Sequence, residues 1–151
     1  MRMLLTVFLL GICGAMSASA EAKSVPREVL AWYSDTMAAY GDLVSDLDKA
    51  TEARATAAAF RKATAAVVGK KLAVRYRDLR SRYPDFFKNA ESGDTNWTPP
   101  PEWLKAIDDY GKAVENYGRG MQKAMAYAQD PEVAQALQDF SDALGAIGDG
   151  E

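Results

Sequence analysis

The sequence contains no histidine and one cysteine, Cys13. Without imidazole there is no Ser–His or Cys–His nucleophile pair, no Glu-x-x-His di-iron site and no axial histidine for haem. Cys13 ends an apolar run, Leu4 to Cys13, that follows Arg2 and precedes Ala18-Ser19-Ala20. A basic start, a short apolar core and a small-residue cleavage site mark a secretory signal peptide over residues 1–20, with Glu21 as the first mature residue. The run is too short to span a bilayer. Ile12 stands where a lipoprotein signal needs a small residue, so plain secretion is expected. The mature chain, residues 21–151, is then periplasmic or secreted and carries no disulfide or thiolate. An enzyme is not expected, and no cofactor is.

Metal-binding patterns are missing as well. Asp46, Asp48 and Glu52 suggest a calcium loop, but Ala50, Thr51 and Ala57 stand where its remaining ligands and turn glycine belong. The same acids serve a helix N-terminus by offsetting its dipole. Met121 and Met125 have no histidine partner and read as core filler. The formal charge of −3 argues against a nucleic-acid partner.

What is present is helical periodicity along the whole chain. Leu30, Tyr33, Met37, Tyr40, Val44 and Leu47 alternate steps of three and four, which predicts a helix from about Pro26 to Leu47. A second is predicted from the cap Thr51 to Tyr83, where Pro84 stops it, with Gly69 as its weak point. Residues 84–100 read as a long loop. A third helix starts at Pro101 with the seam Trp103, Ile107, Tyr110, Val114, Tyr117 and Met121. The fourth is shorter and begins with Asp130 as cap and Pro131 at its first position. The expected fold is all-α: a single antiparallel up-down bundle of four helices, three long and the last shorter, with coiled-coil-like packing. The run from Asp48 through Thr51 and the Ala-rich stretch to Phe60, behind a seam helix and a signal peptide, resembles small secreted bacterial helical proteins. That resemblance implies a secreted helical bundle and carries no activity and no site residue.

Three anomalies are candidates for function. Nine basic residues fall between Arg61 and Lys88, opposed only by Asp78 and Asp85. Arg75, Arg77, Arg80 and Arg82 are either a face neutralised by acidic neighbours or a site for an anionic membrane surface, polymer or protein. Internal neutralisation is favoured, because charged helix faces are usually solvated. Gly41, Gly69, Gly111, Gly118 and Gly120 lie inside predicted helices, where each costs about 1 kcal/mol relative to alanine. Gly111 and Gly118 predict close contact with the Ala-rich second helix; the other reading is a tyrosine-lined cavity for a small apolar ligand. Trp97 and Trp103 flank a proline run and either anchor a partner or cap one end of the bundle. Together these features point to a binding module with a protein partner. A small-ligand carrier and a membrane-surface protein are the alternatives.

Overall fold

The computed structural model describes residues 24–92 and 97–148. The signal-peptide segment, residues 1–20, and residues 93–96 of the expected loop lie outside the described residues. The described residues form six α-helices and no strand: α1 (Arg27–Lys49), α2 (Ala53–Gly69), α3 (Leu72–Arg82), α4 (Pro84–Ser92), α5 (Pro101–Ala124) and α6 (Pro131–Gly148). A 3-10 turn, Met125–Tyr127, links the last two.

The proline-led starts fall where the sequence places them. At α6 the Asp130 carboxylate accepts the backbone N–H groups of Glu132 (2.9 Å) and Val133 (3.3 Å). Those donors have no partner within the helix, so the cap satisfies them while Pro131 pre-sets the first turn. Pro101 starts α5 in the same way, and the Pro100 carbonyl accepts Trp103 N–H at 2.9 Å.

The expected second helix is not continuous. It breaks at Lys71, whose φ of 52° and ψ of 41° are left-handed. The helix α2 ends at Gly69, the predicted weak point, but nothing in Lys70-Lys71 favours the left-handed turn itself. The cause is tertiary: the bend buries Leu72 completely and turns its carbonyl to accept Trp32 Nε1–H from α1 at 2.9 Å. A non-glycine residue in this conformation costs about 1–2 kcal/mol. Lys71 is exposed, so Lys71→Gly should raise the stability by about 1 kcal/mol, read as a higher urea midpoint with an unchanged slope.

The 84–100 loop is also corrected. Pro84 ends α3 and at once begins α4, a nine-residue helix that buries Phe87. Its missing N–H is harmless at a first helical position. Thr51 does not cap α2: Glu52 occupies that position, with no side-chain hydrogen bond.

α1 is the central element. It packs against α5 on one side and against α2 and α3 on the other, while α6 packs on α2 and α3. A helix with two neighbours buries two faces. Val29, Trp32, Thr36, Leu43 and Leu47 are buried, whereas the predicted seam residues Tyr33 and Tyr40 carry the α5 contact. The buried Thr36 hydroxyl donates to the Trp32 carbonyl at 2.9 Å, so its burial leaves no polar atom without a partner.

α5 runs parallel to α1 at nearly constant register. Val25 N–H donates to Glu102, 77 positions on, at 3.4 Å. Tyr33 with Tyr110 and Tyr40 with Tyr117 repeat that spacing, at ring-centroid distances of 5.3 and 5.1 Å. Lys123 closes the row on Asp48.

The glycine expectation is overturned. A Cβ at Gly111 or Gly118 would meet nothing within 4 Å, and the neighbour of α5 is α1, not the Ala-rich α2. Close contact occurs instead at Gly120, where a Cβ would lie 3.3 Å from Val44 Cγ2 and 3.5 Å from Leu47 Cδ1.

Candidate functional site

The basic segment is largely tied down. Arg75 (2.7 Å) and Lys70 (3.2 Å) share the Asp35 carboxylate of α1 across the α2–α3 break. Arg80 reaches Glu91 of α4 at 2.6 Å and stands over the rings of Tyr76 and Phe87. Arg82 pairs with Asp78 one turn back at 2.8 Å and with Glu28 of α1 at 3.6 Å. Further along α2, Lys62 meets Asp46 at 2.8 Å and Arg61 meets Glu132 at 3.3 Å. Arg77, Lys71 and Lys88 are exposed and have no ion-pair partner among the described residues. Of the four candidate arginines, three therefore join helices or brace one turn, and Arg77 alone is free.

Asp35 is the hub of this network. The hydrogen bond from Arg75 holds its carboxyl below the usual range, and Lys70 adds to the effect. A carboxyl with a lowered folded-state pKa contributes stability above its unfolded value, and that contribution is lost as pH falls through the folded value. Asp35→Asn should thus cost about 1 kcal/mol at neutral pH, the range of a solvent-screened pair. The gap between wild type and variant should close in acid, as measured by urea unfolding at neutral and at strongly acidic pH.

Trp103 is 6 % exposed and sits edge-on to Tyr33 at 5.2 Å and to Phe86 at 5.0 Å. Trp97 is half-buried and meets the edge of Phe86 at 6.1 Å. The two tryptophans come together through one phenylalanine of α4 and seal the end of the α1–α5 pair. The tyrosines continue the row: Tyr33, Tyr110, Tyr40 and Tyr117 contact one another in turn, and their rings fill the α1–α5 interface. Burial raises the phenol pKa of all four, so they stay neutral at physiological pH.

The α5 side next to the α1 contact was not singled out as exposed by sequence reasoning. α5 buries only Trp103, Gly120 and Ala124. Leu104 (57 %), Ile107 (41 %) and Met125 (60 %) are exposed. Val114 is half-buried, and Gly111 and Gly118 are exposed between them. These positions fall within one side of the helix at 3.6 residues per turn. A periodic seam gives no sign of how many neighbours a helix will find, so Ile107 and Val114 read as core.

Among the described residues, no cluster of three acidic side chains is placed to hold a metal ion, and no helix is long and apolar enough to cross a membrane. No family model, curated protein or solved structure matches this chain.

Proposed function

We propose that this chain is an exported helical interaction module, non-enzymatic, that binds a protein partner through the open face of α5. An adaptor, inhibitor, immunity or chaperone-like protein would have this character. The observation that carries the reading is the exposure of Leu104 and Ile107 on α5, a helix held mainly by one neighbour, and of Met125 in the turn that follows it. Scattered exposed apolar residues are ordinary, but a row of them along one helix side resembles the surface by which helices dock. In this reading α1, α2, α5 and α6 are the four segments of an antiparallel up-down bundle, with α3 and α4 closing one end. The parallel run of α1 and α5 supports it, because the first and third segments of such a bundle share a direction.

The test is a photo-reactive phenylalanine analogue at Ile107 in exporting cells. A discrete cross-linked species, absent with the analogue at exposed Gln138, supports the reading. Equal labelling at both positions contradicts it.

A second reading is favoured by the free cations Arg77, Lys71 and Lys88: attachment to an anionic membrane surface. Neutralising Arg75, Arg77, Arg80 and Arg82 together should then abolish salt-sensitive binding to anionic vesicles. Three of these four are engaged in ion pairs, so we expect a modest loss of stability instead, with vesicle binding weak before and after the change.

A further inference from the structure

The open face of α5 has an internal symmetry. Leu104 and Met125, the first residue past α5, lie equally far from the Val114–Glu115 peptide bond, and so do Gly111 and Gly118. Reversal sets Leu104 against Met125 and one glycine against the other, while Ile107 meets Gln122. Nothing in the monomer lies within 4 Å of a Cβ built at either glycine, so the backbone is open to close approach there.

The charges beside the strip alternate in sign. Asp108 and Glu115 flank it, and Lys112 and Arg119 stand one row further out. In order they read minus, plus, minus, plus, and reversed they read the opposite. An antiparallel copy crossing between Gly111 and Gly118 brings Asp108 and Arg119, and Lys112 and Glu115, to within about 3 Å of the same axial level, each pair occurring twice by two-fold symmetry. Within the monomer Lys112 pairs with Asp108 at 2.5 Å, whereas Glu115 and Arg119 have no ion-pair partner among the described residues. Arg119 donates only to Asn116, one turn back on the same helix.

We propose that the occupant of this face is a second copy of the chain, with the two α5 helices crossing antiparallel at Gly111 and Gly118. The proposal rests on the reading of α5 as a binding face and names what binds there.

Sedimentation equilibrium of the mature chain, over concentrations from micromolar to millimolar, tests it. Wild type should shift from monomer to dimer. Gly111→Leu with Gly118→Leu fills space that is empty in the monomer, so helicity and melting temperature should not fall, while association should weaken by about tenfold or more. Asp108→Arg should also weaken it, and adding Arg119→Asp should restore it. A monomer at every concentration overturns the proposal, and so does a dimer indifferent to all three variants. In the monomeric case the Ile107 cross-link separates two failures. A link to a different protein leaves α5 as the binding face, and no discrete link removes that reading as well.

Discussion

Phe140→Ala should lower the stability by about 3–5 kcal/mol, a large part of a typical margin of about 5–15. Phe140 is fully buried in α6. Its ring meets Phe60 of α2 at 6.0 Å and Tyr117 of α5 at 6.2 Å. It therefore bridges α6 to both of those helices. Truncation loses the apolar burial and leaves a cavity between elements that cannot collapse independently. Thermal unfolding followed by circular dichroism should show a fall on the order of 10 °C or more. Phe140→Leu should lose much less, because most of the volume is kept.

Trp32→Phe should cost about 2–3 kcal/mol although an aromatic ring remains. Two effects add. The Leu72 carbonyl, which begins α3, loses the Nε1–H donor it accepts at 2.9 Å, a hydrogen bond worth about 0.5–1.5 kcal/mol. The smaller ring also loosens the contacts with Tyr33 at 5.0 Å and Tyr76 at 4.8 Å. The damage should be local to the α2–α3 break. Amide hydrogen exchange should quicken most from Lys70 to Arg75, while α5 keeps its protection.

These two sites show what the sequence carries and what it does not. Pro101, and Asp130 with Pro131, announce their helices because a cap is a local arrangement: the side chain that accepts and the N–H groups that donate lie within three positions. The break at Lys71 has only a partial signature: Gly69, the predicted weak point, is the last residue of α2. Lys70-Lys71-Leu72 is good helical sequence, and the left-handed turn exists because Trp32, forty positions earlier, takes the Leu72 carbonyl. α4 is hidden for another reason. Pro84 is both a stop and a start, and a reading that uses it once finds a loop. The seam of α1 was legible, but it was one of two faces, since periodicity shows which residues are apolar and not how many partners the helix has.

The candidate site divides along the same line. The surplus of positive charge from Arg61 to Lys88 was plain in composition, and internal neutralisation was favoured for it. Which acid meets which base was not visible: Asp35 serves Lys70 and Arg75 together only because the chain bends between them. Trp103 drew attention as an aromatic beside prolines, and the fold places it in the core. Ile107 drew none, because a residue on an apolar seam reads as buried until the number of its neighbours is known. Gly111 and Gly118 were noticed for their helical cost, but the close contact belongs to Gly120.

The proposed function places binding on α5 and gives the ion pairs of α3 a structural role. A dilution series of amide NMR spectra of the mature chain tests both halves at once. The expected result is concentration-dependent shifts confined to amides from Leu104 to Met125, with those from Leu72 to Lys88 unmoved. Shifts centred on α3 would contradict it, and spectra identical at every concentration would remove the second copy as the occupant of α5.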